Sequence, residues 1–143
     1  MGIFDSFKKK KPEETDNKTV VFTAKTVEAY INQGDKYRDQ GQLDDALKEY
    51  GNALRVNPNS ARAHNGIALV YIDQGKLDDA EKECDEALKI NPNYEDAHYN
   101  LAFAYDKQGW YRYAVREYKE VIRINPKNAE AKKNLADAIK KLY

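Results

Sequence analysis

The sequence repeats itself every 34 residues, and this period restricts the possible folds more than any other feature. Prolines, glycines, alanines and tyrosines each recur at that interval. The landmarks are Pro58, Pro92 and Pro126; Gly41, Gly75 and Gly109; Ala46, Ala80 and Ala114; Tyr37, Tyr71 and Tyr105; and the small residues Gly34, Ala68, Ala102 and Ala136. Such a period is typical of stacked helix pairs, because one pair alone cannot bury its apolar face. The sequence therefore predicts an all-α fold with one continuous core.

Helix ends can be placed within the repeat. The first helix is predicted to begin within residues 23–27 and to run to the glycine. The second is predicted to begin at Asp44, whose carboxylate can accept from free backbone N–H groups, and to end before Pro58. In the next repeat Asp78 and Glu81 have the spacing of a capping box.

Small residues at repeat positions 8 and 20, Tyr at 11, an apolar residue at 24 and Pro at 32 occur in register. With these residues the chain resembles a tetratricopeptide repeat protein. The resemblance implies a right-handed α-solenoid of antiparallel helix pairs, seven helices in all. The predicted organisation is a flexible basic and amphipathic tail at 1–22 and a repeat domain at 23–143, which contains repeats 27–60, 61–94 and 95–128 and a capping helix at 129–142.

The resemblance also implies a function. Members of this family bind a peptide or helix of a partner protein in a concave groove lined by the first helix of each repeat. The matching positions here are Ile31, Asn32, Asp35, Arg38, Asn65, Leu69, Ile72, Tyr99, Asn100, Phe103, Asp106, Asn134 and Asp137. The chain is thus expected to be a non-catalytic adaptor.

Asparagines are one notable feature of these positions. Asn32, Asn100 and Asn134 share one repeat position, where an amide could both donate to and accept from a ligand backbone. In the second repeat Gly66 takes that place and Asn65 lies beside it, so the series has a gap. The alternative is that these asparagines are merely solvated surface residues.

The other notable feature is apolar. Tyr99 and Phe103 are one helical turn apart, and Leu69 is expected to face them from the neighbouring helix. An exposed patch of this kind is a candidate anchor site. The alternative is intramolecular packing, including cover by the apolar segment 20–22, for which capping of the first helix is the favoured interpretation.

The sequence departs from the clamp with which some family members hold the terminal carboxylate of heat-shock chaperones. Ile31 and Asp35 replace the first lysine and asparagine, Gly66 replaces the second-repeat asparagine, and Asp96 and Asn100 replace the third-repeat cations. Without those cations a desolvated carboxylate lacks its charge-assisted hydrogen bonds. Binding of chaperone tails is therefore not expected.

The turn of the third repeat suggests a second contact surface. Trp110 and Tyr113 replace polar residues of the other repeats and are candidates for exposure, either for contact with a partner or as local packing. An alternative function is a self-assembling scaffold, joined through these residues or through segment 20–22.

The start of the sequence has the layout of a membrane-surface anchor. Ile3, Phe4 and Phe7 would share a face of a helix, and Lys8, Lys9, Lys10 and Lys11 follow. The first six residues also match the pattern for myristoylation of Gly2. A membrane-tethered adaptor is therefore a further alternative, although an idle tail is the favoured interpretation.

Composition bounds the remaining classes. The net charge is zero and no basic stripe with interleaved aromatics was identified within the repeats, so no nucleic-acid partner is expected. The single cysteine, Cys84, is expected to be buried, and its isolation with the lack of a signal sequence indicates a cytoplasmic location. His64 and His98 are expected to be core imidazoles. No catalytic, cofactor-binding or metal-binding motif is found, so an enzyme is not expected.

Overall fold

The computed structural model describes residues 17–143, which form seven helices and no strands. The helices are α1 (Asn17–Asp39), α2 (Leu43–Val56), α3 (Ala61–Asp73), α4 (Leu77–Ile90), α5 (Glu95–Gln108), α6 (Tyr111–Ile124) and α7 (Ala129–Leu142). Each helix contacts the next along the chain, and α1 also contacts α3 as α3 contacts α5. The predicted all-α solenoid of helix pairs is confirmed.

Helix α1 begins earlier than predicted. It starts at Asn17, so residues 17–22 belong to a helix rather than to the predicted flexible tail. Val20, Val21 and Phe22 thus lengthen α1, with half or more of each residue's surface exposed. The predicted membrane-anchor residues Ile3, Phe4, Phe7, Lys8, Lys9, Lys10 and Lys11, with Gly2, lie outside the described residues. No helix within 17–143 has both the length and the apolar content needed to cross a membrane.

Glycine ends the first helix of each pair. Gly41, Gly75 and Gly109 have φ of +74°, +74° and +81°, the left-handed conformation that glycine adopts without steric cost. The backbone N–H of the residue after each glycine donates to a carbonyl of the preceding helix, as in the 2.8 Å hydrogen bond from Gln42 N to Tyr37 O. These three positions therefore fix where each chain reversal occurs.

The predicted side-chain caps of the second helices are not formed. Helix α2 begins at Leu43 and α4 at Leu77, and neither has a side-chain cap hydrogen bond. Asp44 and Asp78 therefore lie in the first turn, where a negative charge is favoured by the helix dipole. Side-chain caps occur instead at Ser60 of α3 and Asn128 of α7, which the sequence analysis did not identify.

Small residues and large rings alternate in the core. Ala46, Ala80 and Ala114 are fully buried where the helices of each pair cross, as predicted. Cys84 is also fully buried, and burial raises the pKa of its thiol to about 12, so it is confirmed as a core residue.

Tyr50 occupies the tightest place between the first two repeats. Its fully buried ring lies so close to the backbone of α1 and α3 that a Cβ on Gly34 would be 2.7 Å from its Cε1 atom, and a Cβ on Gly66 would be 2.6 Å from it. Only glycine fits at either position without movement of the ring. This explains why Gly66 interrupts the asparagine series.

Candidate functional site

The first helices α1, α3, α5 and α7 lie side by side and form one surface, which we call the first-helix face. Side chains 27–35 residues apart link neighbouring helices across it. Asn100 Nδ2 donates to Asn65 Oδ1 at 2.8 Å between α5 and α3, and Asn134 Nδ2 donates to Tyr99 Oη at 3.0 Å between α7 and α5. These bonds hold the face of the predicted groove in register.

The prediction that the asparagines present free amides to a ligand needs correction. Asn65 and Asn100 are only 5% and 8% exposed, and their amides bond to each other. Asn32 is exposed, but its Oδ1 accepts from Arg62 at 3.1 Å. Asn134 is half-buried against Tyr99. All four side chains therefore have partners within the chain, and direct ligand binding by Asn32 and Asn134 stays a prediction.

Two other predicted groove residues belong to the core or its edge. Ile31 is buried in the core cluster of α1, α2 and α3, and it reaches the surface only in the wall of the pocket at the start of α1 that is described below. The half-buried Asp35 accepts from Tyr50 Oη at 2.5 Å and from Arg62 Nη2 at 3.2 Å. Burial and this carboxylate together raise the pKa of the Tyr50 hydroxyl.

The apolar feature of the face has a different composition from the one predicted. Tyr99 is half-buried, and its hydroxyl donates to Glu130 at 2.8 Å, so this residue joins α5 to α7 rather than standing free. Burial first, and Glu130 second, raise its pKa to about 12. Leu69, Ile72 and Phe103 are half-buried, and the Lys107 ammonium lies 5.2 Å from the Phe103 ring centroid. We call these three residues the apolar patch.

The Asn65–Asn100 bond sets the register between the parts of the apolar patch on α3 and α5. Leu69 is four residues after Asn65 and Phe103 is three residues after Asn100, so each lies one turn beyond the bonded pair. Because the bond holds α3 against α5, the two apolar side chains lie on neighbouring helices at one level. The predicted facing of Leu69 and Phe103 thus agrees with the register of the helices.

The sequence analysis did not predict that arginines on the first-helix face link neighbouring helices. Arg62 of α3 reaches Asn32, Asp35 and, at 3.9 Å, Glu28 of α1. Arg38 of α1 forms a 3.0 Å ion pair with Asp73 of α3. The signal was the spacing, because each arginine and its acids lie about one repeat apart. Both arginines are therefore paired with acids of the neighbouring helix and help to fix the register of α1 against α3.

A pocket of about 650 Å³ lies at the N-terminal end of the first-helix face. Its apolar wall comes from the early turns of α1, including Val20, Ala24 and Val27, and the opposite wall includes Ser60 and Arg62. The lengthened α1 creates this pocket, so the sequence analysis, which began the helix later, could not identify it.

The third-repeat turn does expose its aromatic residues. Trp110 and Tyr113 are 55% and 44% exposed, and their rings meet edge to face with centroids 6.1 Å apart. Tyr113 also lies against Tyr105, at a centroid distance of 5.4 Å. The surface predicted from these residues is therefore accessible, and its role in contact with a partner stays a prediction.

The two histidines join the helices of their own pairs. His98 is buried between a 2.6 Å contact from Nδ1 to Glu117 and a 2.8 Å contact from Nε2 to the Pro92 carbonyl. Because a carboxylate and a carbonyl both require a donor, this geometry favours the imidazolium, and the Glu117 hydrogen bond raises the pKa of His98. His64 makes the equivalent contact with Glu83 at 2.7 Å. Among residues 17–143 no three His, Cys, Asp or Glu side chains are grouped to hold a metal.

Comparison with known proteins identifies the repeat. Two sequence profiles described as tetratricopeptide repeat match residues 31–95 and 83–116. No curated protein sequence matches the chain.

Solved structures show the same architecture. The first TPR of Spaghetti (RPAP3) bound to the HSP90 peptide SRMEEVD is 24% identical, with a TM-score of 0.79 over 82% of this chain and 94% of that one. The first TPR domain of human RPAP3 is 25% identical, with a TM-score of 0.79 over 82% and 92%. The Arabidopsis OM64 TPR domain is 19% identical, with a TM-score of 0.78 over 82% and 98%.

Proposed function

We propose that this chain, which belongs to the tetratricopeptide repeat family, is an adaptor that holds a segment of a partner protein against its first-helix face. The observation that carries the proposal is the apolar patch of Leu69, Ile72 and Phe103. These side chains remain partly accessible on a face whose polar groups are largely bonded to one another. An accessible apolar cluster within a polar rim is the usual anchor of a protein contact.

The chemistry of the face favours a segment without an acidic C-terminus. The similar structure of RPAP3 contains the acidic peptide SRMEEVD. Here Ile31 is buried, Asp35 is itself an acid, and Gly66 has no side chain at the corresponding positions. A desolvated carboxylate would therefore meet no free cation there.

The arginines do not compensate for these replacements. Arg62 and Arg38 are each paired with carboxylates of the same face, and recruiting either would break a link between α1 and α3. We therefore expect an internal segment with one large apolar side chain, beside which Lys107 is the cation that remains available next to Phe103. Such a contact buries about 1,200 Å² in total and gives an affinity in the micromolar range.

The test is selection of peptides from a random display library on the full chain. Enriched peptides are expected to carry an aromatic or aliphatic anchor and to lack a C-terminal acidic run. The double variant Leu69→Ala, Phe103→Ala should weaken their binding by about 2 kcal/mol, or roughly 30-fold in Kd. Calorimetric titration measures this change.

The matched control is Trp110→Ala, which removes an exposed aromatic residue outside the first-helix face. It should leave the Kd of these peptides unchanged. Selected peptides that bind the Leu69, Phe103 double variant as tightly as the original chain would contradict the proposal, as would enrichment of SRMEEVD-like sequences.

Self-association is a second candidate function, favoured by the start of α1. Phe22 is 72% exposed, and Val20 and Val21 beside it are half exposed, which is unusual for large apolar residues without a partner surface. We expect a mass above that of the monomer in light scattering at high concentration, reduced by Phe22→Ser. A monomer throughout the concentration range would rule this function out.

A further inference from the structure

Helix α6 carries a line of cations on the face opposite the core, which corrects the expectation that the repeats contain no basic stripe. Arg112, Arg116, Lys119 and Arg123 are spaced by four, three and four residues, so they follow one side of the helix. All four are exposed, whereas the buried residues of α6 lie on the other side. We call these four residues the basic stripe.

The repeat itself does not require this stripe. The equivalent positions of α4 are Asp78, Lys82, Asp85 and Lys89, where charges of opposite sign alternate. The equivalent positions of α2 are Asp44, Lys48, Gly51 and Arg55. All three helices occupy the same place in the repeat, so neither packing nor solubility accounts for four cations in α6 alone.

The cation at the start of α6 is locally unfavourable. Helices α2 and α4 have two aspartates in the first turn, whereas α6 has none and carries Arg112 there. A positive charge at a helix N-terminus opposes the helix dipole. Arg112 and Lys119 form no hydrogen bond or ion pair with another residue in 17–143, so no such contact offsets this cost. Arg123 pairs with Glu120 at 2.8 Å and Arg116 lies 3.7 Å from Glu117, so a ligand carboxylate would compete with an acid of α6 at these two cations.

Aromatic and apolar side chains border the basic stripe. A hollow of about 390 Å³ is lined by Tyr113 and Val115 together with the cations Arg112, Arg116 and Lys119. The Arg116 guanidinium lies 5.5 Å from the Tyr113 ring centroid, and the exposed Trp110 ring contacts Tyr113. The surface thus combines charge with a place for an apolar side chain.

We propose that the basic stripe, with Trp110 and Tyr113, is a docking surface for an acidic helical segment of a partner protein. Carboxylates spaced by four, three and four residues on such a helix would face the four cations. One apolar side chain of the segment would enter the hollow beside Tyr113. Electrostatic complementarity of this kind accelerates association and excludes other partners.

Charges around the stripe favour protein over nucleic acid or a lipid surface. The half-buried Glu120 lies beside the stripe on the same helix, and Asp78 and Glu81 line a second hollow together with Trp110 and Tyr113. A phosphate polymer or an anionic bilayer would be repelled by these acids, whereas a single helix can follow the cations alone. The proposal is independent of the first-helix face.

Trp110 provides a direct reporter, because it is the only tryptophan in the sequence. The full chain is titrated with a synthetic helical peptide that has glutamates at positions i, i+4, i+7 and i+11 and one leucine beside them. We expect a saturable change in Trp110 fluorescence that weakens as salt is added. The same peptide with glutamines in place of the glutamates should give no change.

The variant Arg112→Asp, Lys119→Asp gives α6 the residues that α4 has at these positions, so its folding should be preserved. It should weaken peptide binding by about tenfold or more. The control Lys48→Asp, Lys82→Asp changes exposed stripe positions of α2 and α4. Each replacement alters the charge by two units, so both pairs alter it by four. The control should retain binding within about twofold.

Several results would overturn the proposal. One is a flat fluorescence titration of the original chain with the glutamate peptide, and another is equal weakening in the two double variants. Tighter binding of oligouridylate, or of phosphatidylcholine vesicles containing phosphatidylserine, would assign the surface to a different class of partner. A concentration-dependent dimer that is lost in Trp110→Ala would assign it to a second copy of the chain.

Discussion

Replacing Gly66 by asparagine is expected to lower the free energy of unfolding by about 3 kcal/mol, although asparagine occupies the same repeat position elsewhere in the chain. The reason is steric. A Cβ at this position would be 2.6 Å from Cε1 of Tyr50, whose ring is fully buried and also meets Gly34 from the other side. The ring cannot move away, so the two repeats must separate. Thermal unfolding should show a fall in Tm of roughly 10 °C.

Two further variants make this prediction specific. Gly51 lies inside α2 with nothing within 4 Å of an added Cβ, so Gly51→Ala should raise stability by about 0.5–1 kcal/mol. Tyr50→Cys combined with Gly66→Asn copies the arrangement of Cys84 and Asn100 one repeat later. The double variant should lose at least 1 kcal/mol less than the two single variants added together. Strict additivity would mean that the contact with Tyr50 is not the cause.

The regular part of the fold could be predicted because the repeat unit occurs three times in the sequence. Proline, glycine and alanine at fixed spacing indicated the helix pairs, and the fully buried Ala46 and Cys84 agree with the predicted core. The start of α1 could not be placed, because residues 17–26 have no copy in another repeat to compare with. A period identifies what recurs, and it carries no information on an extension that occurs once.

The site was predicted less well than the fold, since its residues depend on contacts between repeats. The family position of Asn100 suggested an open groove, yet the smaller Cys84 in place of a tyrosine leaves room for a buried amide that bonds to Asn65. Where Tyr50 fills that room, a Cβ on Gly66 would clash with the ring, whereas the equally buried Tyr118 has Asn134 of α7 at the equivalent position. The sequence has three such pairs, Tyr50 with Gly66, Cys84 with Asn100 and Tyr118 with Asn134, so the residue at one position does not determine the residue at the other. Only the packing of the helices shows which of these side chains is exposed on the first-helix face.

Removing the carboxylate of Glu117 is expected to be the most damaging single change at a charged side chain. The pair of His98 and Glu117 is buried, with a 2.6 Å contact, and the imidazole also bonds to the Pro92 carbonyl in the turn before α5. Glu117→Ala leaves a buried imidazolium without its counter-ion, which costs about 3 kcal/mol. Urea unfolding at pH 6 measures this loss.

The loss should also depend on pH in a defined direction. Because the Glu117 hydrogen bond raises the pKa of His98 above its unfolded value near 6.5, the stabilisation is complete below that value and disappears as the pH rises through the folded pKa. The difference between the original chain and Glu117→Ala should therefore shrink between pH 6 and pH 9. Glu83→Ala provides the control, since the His64 pair is more exposed and its second contact, to Pro58, is 3.4 Å long. It should cost about 1 kcal/mol. Equal losses for the two variants, or a Glu117→Ala loss that is constant with pH, would show that His98 is not held as an imidazolium between α5 and α6.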